Sequence, residues 1–460
     1  MRFIDWLRPG LNIKRWVFLG IIGILMQSYG IALFMTSNIP YDSYVLVAVA
    51  AIASGLCILI LSIIFIGRTI IRVVNEAGYH GQVNSKTIGT MLLEKRYLES
   101  GPKIVVIGGG TGLSTMLRGL KDFTSNLTAV VTVSDDGGGS GVLREDLGIL
   151  PPGDIRNCIL ALARTEPILE KLLQYRFTEG MLKGQNFGNL FLAAMSGVSG
   201  SFEEAVKKMS HVLAVTGDVL PVTLSDIRLC AELEDKSVIL GETNIVSECK
   251  DRNAAIKHIF LEPTNPPALP EVIQRIKEAD AVVLGPGSLY TSIIPNLLVD
   301  GICEAINESK ALKIYVCNIM TQRGETDKYT ASGHLKAIIN NSKLQKVDYC
   351  IANKGAIKES LKQKYSKDGA SRVIIDEANI SKMGIKIIKA DIIDVERGFV
   401  RHHAKKLSLA IIKLINEEII LKDKKKMIEY LYNKGKINKI VSAPKPSSFL
   451  KGRNEKDFIS

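Results

Sequence analysis

The chain has 460 residues, 46% hydrophobic and 23% charged, a balance that excludes a mainly disordered protein. Its seven cysteines include no CxxC pair, which argues against a disulfide framework and a cysteine-type zinc site. The net charge of +12 is concentrated at the ends, with +4 in residues 1–100 and +7 in residues 421–460. A nucleic-acid-binding domain would carry a basic face in its folded part, so no nucleic-acid partner is expected.

Two uncharged apolar segments near the start of the chain predict a membrane hairpin. The predicted helices cover about residues 16–35 and 44–66, and each is long enough to cross the hydrocarbon core of a bilayer. Basic residues flank both outer ends, which places both termini and the main domain in the cytoplasm. A cleaved signal peptide is disfavoured, because the first segment is long and a second follows at once. We therefore expect residues 1–75 to be a two-pass anchor in the cell membrane, in contact with membrane lipid.

The rest of the chain divides into a linker, one large domain and a tail. Residues 76–101 have the composition of a juxtamembrane linker, and the basic tail at 421–460 is either solvated or bound to an anionic membrane surface. Residues 102–420 alternate continuous apolar strands with amphipathic helices, which predicts a Rossmann-like α/β fold with a mainly parallel sheet flanked by helices. The predicted strands are Lys103–Ile107, Thr128–Val133, Ala281–Leu284, Lys313–Cys317, Tyr349–Ile351 and Val373–Ile375, with Val219–Leu224 and Arg228–Leu233 as a candidate antiparallel insertion.

The first predicted strand leads directly into a glycine-rich loop made of Gly108, Gly109, Gly110, Thr111 and Gly112. Glycines let backbone N–H groups approach an anion, and the start of the following helix favours negative charge. The loop is neither a Walker A motif nor a complete dinucleotide fingerprint. We expect it to bind the phosphates of a nucleotide, with tight backbone packing as the alternative.

A second polar loop, containing Asp135, Asp136, Gly137 and Gly138, follows the second predicted strand. Carboxylates at the carboxyl end of a parallel strand face the ligand crevice, where they can bind ribose hydroxyls or a magnesium ion beside phosphates. Asp135 is the candidate metal ligand. No cofactor is required, although Mg²⁺ can accompany the nucleotide. The alternative is a turn in which the aspartates accept hydrogen bonds from backbone amides.

Two asparagines near predicted helix starts are further candidates for ligand contact. Asn157 lies in the first turn of a helix that we expect to begin at Ile155, with Asp154 as its cap. Asn189 precedes a second apolar helix.

The loop after the predicted strand Ala281–Leu284 has the same character. Gly285, Gly287 and Ser288 can line a phosphate, and Tyr290 can stack on a base or bond to a sugar. Arg323 follows a later strand and can pair with a pyrophosphate. Because carboxyl ends of parallel strands meet at one edge of a sheet, these loops together predict a single site.

In these loops the sequence resembles the YvcK-like gluconeogenesis factor family, within the CofD-like group that includes 2-phospho-lactate transferase. The matching segments are Gly108–Ser114, Asp135–Gly141, Leu147–Asn157, Gly188–Leu190, Gly285–Asn296 and Met320–Tyr329. The resemblance implies a Rossmann-like domain that binds UDP-N-acetylglucosamine and supports cell-wall precursor synthesis, cell shape and growth on gluconeogenic carbon sources. It also implies that the ligand is contacted by Tyr290 and by a downstream arginine, for which Arg323 is the candidate.

Three functions follow from these observations. The first is a non-catalytic, UDP-sugar-binding regulator that acts through cell-wall synthesis or regulatory proteins, as a homo-oligomer. The second is a magnesium-dependent transferase of a phosphorylated group from a nucleotide donor. The third, an NAD-dependent oxidoreductase, is disfavoured by the incomplete fingerprint. Changes from the family pattern at Gly139, Gln185, Asn186 and His403 argue against catalysis at those positions.

Overall fold

The computed structural model describes residues 13–36, 42–76, 95, 97–164, 167–252 and 254–419. These residues form two units, divided between Ser100 and Gly101. Most of the predicted linker and the whole basic tail lie outside the described residues, so those predictions stay open.

The first unit contains two long helices, α1 (Ile13–Thr36) and α2 (Asp42–Glu76), both longer than predicted. Each includes a segment that is long and apolar enough to cross a membrane, Arg15–Met35 and Val45–Arg68. Large apolar side chains face outward, with Leu46 73% exposed. This agrees with the predicted hairpin in helix number, length and composition.

Small residues let α1 and α2 pack closely. A Cβ atom at Gly23 would lie 2.8 Å from the carbonyl oxygen of Gly55, so the two backbones are in contact there. The Ser62 hydroxyl donates a 2.6 Å hydrogen bond to the carbonyl oxygen of Trp16. The Trp16 and Phe65 rings stack at 4.3 Å. Backbone approach through small residues and such interhelical hydrogen bonds is the usual way in which membrane helices associate.

We expect Gly23→Ile to separate the two helices, because its branched side chain collides with backbone atoms. A cysteine pair at Gly20 and Ser62 can report this: a Cβ at Gly20 would lie 3.6 Å from the Ser62 Cβ, within the range for a disulfide. Oxidation in nanodiscs should cross-link the pair, and Gly23→Ile should lower the yield several-fold. Gly67→Ile is the matched control, since nothing lies within 4 Å of a Cβ there. Equal yields in both variants would contradict the close packing.

The second unit contains twelve strands among the described residues. In chain order they are β1 Ile104–Gly108, β2 Leu127–Val131, β3 Asp218–Pro221, β4 Arg228–Leu233, β5 Val238–Leu240, β6 Ile256–Glu262, β7 Ala281–Leu284, β8 Leu312–Val316, β9 Tyr349–Asn353, β10 Lys386–Ala390, β11 Ile393–Glu396 and β12 Phe399–His402.

The helices of this unit lie between the strands. They are α3 Gly110–Leu120, α4 Gly138–Leu147, α5 Pro152–Leu162, α6 Pro167–Gln174, α7 Phe187–Ser199, α8 Phe202–Val212, α9 Glu242–Arg252, α10 Pro270–Glu278, a π-helical turn at Leu289–Ile293, α11 Ile294–Leu297, α12 Ile302–Glu308, α13 Ala331–Asn340, α14 Glu359–Lys367, α15 Glu377–Lys382 and α16 Ala404–Ile419.

Seven strands form one parallel sheet in the order β10-β9-β8-β7-β1-β2-β3. Every residue of β1, β2, β7 and β9 is buried, as expected when helices cover both faces of a parallel sheet. The chain leaves β1 toward β2 and β3, then returns to β7 on the other side of β1. The sheet therefore has a topological switch point between β1 and β7, where ligands bind in open α/β sheets. The predicted fold class is confirmed.

Two strand predictions were wrong. Val373–Ile375 forms no strand, and Ile374 makes only an isolated bridge to Thr330. The run at Val219–Leu224 belongs to the edge of the main sheet, whereas Arg228–Leu233 pairs with β5 and β6 in a separate antiparallel sheet. A short apolar run predicts a strand without indicating its partner, which is why the pairing was missed. All seven cysteines are free thiols, as predicted.

Candidate functional site

A cleft of about 280 Å³ lies at the carboxyl edge of the sheet, at the switch point. Its lining includes the glycine loop Gly109–Gly112, the turn Pro286–Ser288 and the loop Asn318–Gln322. Tyr365 and the segment Val400–His402 complete it from much later in the chain. The sequence therefore correctly predicted that the loops after β1, β7 and β8 come together.

The glycines in the first loop are needed for packing as well as for access. Gly110 has φ of +67°, a conformation that side chains disfavour. A Cβ at Gly112 would lie 2.5 Å from the carbonyl oxygen of Pro286, so the loops after β1 and β7 touch. Gly109 precedes α3 and provides no side-chain cap. The helix start at the cleft therefore keeps the favourable dipole for an anion.

Asp154 lies beside the same helix start. Its expected role as the cap of a helix at Ile155 was wrong, because that helix begins at Pro152 and contains Asp154 in its first turn. Burial and the nearby Asp135 carboxylate raise the pKa of Asp154 to about 6, although the Gly110 amide donates to it and opposes the shift. A phosphate in the cleft would therefore approach α3 from the side of Thr111, which lines the cleft.

Side chains from the loops after β7 and β8 are joined by hydrogen bonds on the cleft wall. The Asn318 amide donates to the carbonyl oxygen of Gly287 at 2.9 Å. The Gln322 amide donates to the Ser288 hydroxyl at 2.8 Å. Behind them lies Glu325, where burial raises the pKa of the carboxyl to about 7. This part of the wall is polar and held in place by its own hydrogen bonds.

The C-terminal part of the lining supplies an aromatic ring and a positive charge. The Tyr365 hydroxyl accepts a 2.9 Å hydrogen bond from the Val400 amide, which fixes the half-buried ring at the cleft. Arg401 is exposed, and its guanidinium lies 5.6 Å from the centre of the Phe399 ring. Burial lowers the pKa of His402 to about 4, so its imidazole is neutral at pH 7. Among the described lining residues, Arg401 is thus the one cation at neutral pH.

The structure does not place two of the predicted contacts on the cleft. Tyr290 lies in the π-helical turn, is 2% exposed, and its hydroxyl is 2.8 Å from that of Tyr329. Arg323 is exposed and packs against Gly369 instead. A local motif does not indicate which way a side chain points from a turn, which is why both predictions missed. In this structure the tyrosine and the arginine that line the cleft are Tyr365 and Arg401. Gly108 and Gly285 lie below the cleft and do not line it. A Cβ atom at Gly108 would lie 3.8 Å from the Cα atom of Gly285.

The aspartates after β2 bond to backbone amides, as the alternative interpretation proposed. Asp135 accepts a 2.9 Å hydrogen bond from the Gly137 amide, just before α4 begins at Gly138. Asp136 accepts from both the amide and the hydroxyl of Thr243, at 3.0 and 2.8 Å. Asp136 thus holds the first turn of α9.

Asn157 and Asn189 hold a buried arginine rather than line the cleft. The Arg156 guanidinium donates to Asn189 Oδ1 at 2.6 Å and to Asn157 Oδ1 at 2.7 Å. Arg156 is 8% exposed, and its Nε has no hydrogen-bond partner. Burial and the Arg176 charge lower the pKa of Arg156 to about 10, so it remains a cation at pH 7.

Several carboxyl groups lie near the cleft without forming a metal site. Burial and the charges of Asp135 and Asp154 raise the pKa of Glu242 to about 9. Within the described residues, no three His, Cys, Asp or Glu side chains are grouped closely enough to hold a metal ion. The metal-ligand role of Asp135 therefore stays a prediction.

Comparison with known proteins agrees with the fold and the motifs. The profile of the family described as 2-phospho-L-lactate transferase CofD matches residues 104–393. A protein of Clostridium acetobutylicum is 52% identical over 433 residues, covering 94% of this chain and 96% of its own. The gluconeogenesis factor of Bacillus subtilis is 45% identical over 317 residues, covering 69% of this chain and 99% of its own. A crystal structure of a UPF0052 family member from Bacillus halodurans has a TM-score of 0.64 at 47% identity, covering 67% of this chain and 98% of its own. The chain therefore belongs to the CofD family, in the group of the gluconeogenesis factors.

Proposed function

We propose that this protein binds a nucleotide-diphosphate sugar of the UDP-N-acetylglucosamine class in the switch-point cleft. The observation that carries the proposal is the meeting of three features in one space. These are the start of α3, where Asp154 accepts from the Gly110 amide, the Arg401 guanidinium and the Tyr365 ring. The helix start and the guanidinium would bind the diphosphate, and the tyrosine ring would stack on the base or the sugar.

The chemistry of each feature matches one part of such a ligand. Backbone amides at a helix start and an arginine fork both bind phosphate oxygens. An aromatic ring offers a face for a uracil or a pyranose. The amide groups of Asn318 and Gln322 can serve sugar hydroxyls. Ligand sites usually enclose ~300–1,000 Å³, so the cleft, at about 280 Å³, lies just below that range.

A regulatory role fits the lining better than catalysis. The ring nitrogen Nε2 of His402 lies 3.3 Å from the Cys317 carbonyl oxygen, and the neutral ring is therefore already engaged. The Ser288 hydroxyl is bonded to Gln322. With the apolar hairpin as a membrane anchor, the domain would act at the cytoplasmic face, where lipid-linked wall precursors are made. It would then regulate cell-wall precursor synthesis, cell shape and growth on gluconeogenic carbon through protein partners.

A transferase reaction is the second candidate. The matching family profile carries the description of a transferase. Asp154 and Glu242 are carboxyl groups near the cleft with raised pKa values, about 6 and about 9, which is common for acids and bases in active sites. Mg²⁺ would then enter with the nucleotide and neutralise its phosphates.

Calorimetry on the full chain in nanodiscs can rank the ligands. We expect binding of UDP-N-acetylglucosamine, with GDP weaker because it lacks the second sugar that Asn318 and Gln322 can serve. NAD should also be weaker, because the glycine loop lacks a complete dinucleotide fingerprint. Binding of GDP alone would contradict the proposal and favour the transferase. Release of UDP from the UDP-sugar in the presence of Mg²⁺ would contradict the non-catalytic role.

A further inference from the structure

Glu325 is a buried acid directly behind the cleft wall. The residue is 7% exposed, and its Oε2 atom has no hydrogen-bond partner. No described ion pair includes it, and Lys250 favours its ionised form only through a longer-range charge interaction. A buried carboxylate that lacks both a contacting cation and a full set of hydrogen bonds is energetically unfavourable. The site therefore favours a proton on Glu325.

The proton on Glu325 decides what the Ser288 hydroxyl can do. Ser288 Oγ lies 3.2 Å from Glu325 Oε1 and accepts a 2.8 Å hydrogen bond from the Gln322 amide. A hydroxyl has a single hydrogen to donate. When Glu325 is ionised, that hydrogen points at the carboxylate and away from the cleft. When Glu325 is protonated, the acid donates to Ser288 Oγ instead, and the Ser288 hydrogen leaves the carboxyl. Its remaining acceptors are Gln322 Oε1 at 3.2 Å and an anionic ligand in the cleft, whose negative charge makes it the stronger acceptor.

We propose that Glu325 is a positioning residue that couples ligand binding to the uptake of one proton through the Ser288 hydroxyl. The inference rests on the proposed function, since Ser288 lines the cleft that receives the ligand's phosphates. An anionic ligand at Ser288 stabilises the protonated carboxyl both by accepting the released hydrogen and by its negative charge. The protonated protein therefore binds more tightly than the ionised one.

Three buried groups around Glu325, namely Glu242, Cys249 and Tyr290, stay protonated near pH 7. Burial raises the pKa of Glu242 to about 9 and that of the Cys249 thiol to about 11. Burial also raises the pKa of Tyr290, whose backbone amide bonds to Glu325. The Lys250 side chain favours the ionised carboxylate, yet burial still raises the pKa of Glu325 to about 7. Glu325 is thus the acid of this set whose pKa lies near 7.

Calorimetry of UDP-N-acetylglucosamine binding to the full chain in nanodiscs tests the coupling. We expect the affinity to fall as pH rises above 7, approaching tenfold per pH unit, because one proton is linked to binding. Titrations in buffers of different ionisation enthalpy should show net uptake that approaches one proton per ligand at pH 8. The diphosphate diester of the ligand has no group that titrates in this range. This measurement needs no variant and so does not depend on a substitution folding.

Variants separate the coupling from a structural role. Glu325→Gln keeps a donor toward Ser288, so it should bind with little pH dependence and no proton uptake. Glu304→Gln, an exposed acid away from the cleft, should keep both the affinity and the pH slope of the wild type. A flat pH profile in the wild type, or an unchanged slope in Glu325→Gln, would overturn the inference alone. No UDP-N-acetylglucosamine binding at any pH would overturn the proposed function and this inference with it.

Discussion

Arg401→Gln should weaken UDP-N-acetylglucosamine binding by roughly 10- to 100-fold, as measured by calorimetry. Arg401 is the one cation at neutral pH among the described lining residues. A hydrogen bond to a charged group contributes about 1.5–3 kcal/mol, and each 1.4 kcal/mol changes affinity about tenfold. Glutamine keeps the polarity and much of the length of arginine. The loss of affinity therefore measures the contribution of the positive charge and of the paired N–H donors of the guanidinium. Raising the salt concentration should weaken wild-type binding more than that of the variant.

Arg323→Gln is the matched control, with the same substitution in the loop after β8, which also forms part of the cleft. Its side chain is exposed and packs against Gly369, away from the lining. We expect its affinity to stay within about twofold of the wild type, in the range of exposed substitutions. A large loss in Arg323→Gln with no loss in Arg401→Gln would return the ligand to the position first expected from the motif.

Arg156→Ala should destabilise the cytoplasmic domain by about 3 kcal/mol. The substitution leaves the Oδ1 atoms of Asn157 and Asn189 without their donors and opens a cavity where the side chain lay. Each unsatisfied buried polar group costs about 1–3 kcal/mol, and the lost packing adds to it. For a domain of this size we expect thermal unfolding to shift down by roughly 5–10 °C.

Circular dichroism of the full chain in detergent provides the measurement. Arg176→Ala is the control, because Arg176 is exposed and bonds to a single backbone carbonyl, that of Gly184. Its shift should be small, since exposed substitutions usually change stability by less than about 0.5 kcal/mol. Equal shifts of the unfolding temperature in the two variants would mean that the buried Arg156 and its hydrogen bonds stabilise the domain no more than an exposed arginine does.

The sequence predicted those parts of the fold that depend on local patterns. Buried strands such as β1 and β7 are continuous apolar runs followed by glycine, and their positions were correct to within one residue. The pairing of β3 and β4 was not predictable, since it depends on contacts between distant segments. For the same reason β10 was not predicted, whereas Val373–Ile375 was predicted as a strand and is not one.

The site was predictable where its residues belong to a motif. The glycine loop and Ser288 lie on the cleft as expected. Tyr365 carries no local signal, because it lies on a mostly exposed helix. It is held at the cleft by contacts with distant segments, namely the hydrogen bond from Val400 and packing against the apolar cluster that contains Ile319 and Met320. Arg401 stands beside His402 and His403, and no local pattern indicates that β12 lies against the loop after β8. Tyr290 belongs to a motif, yet its ring turns into the core.

The contact between Asp136 and Thr243 has a mechanical consequence. It fixes the first turn of α9 to the loop after β2, and a Cβ at Gly324 would lie 2.9 Å from the Val246 carbonyl oxygen, so the same helix also rests on the loop after β8. One helix therefore braces segments from both halves of the sheet. The two halves of the sheet cannot move apart without breaking these contacts, so α9 makes the frame of the cleft resistant to hinge opening.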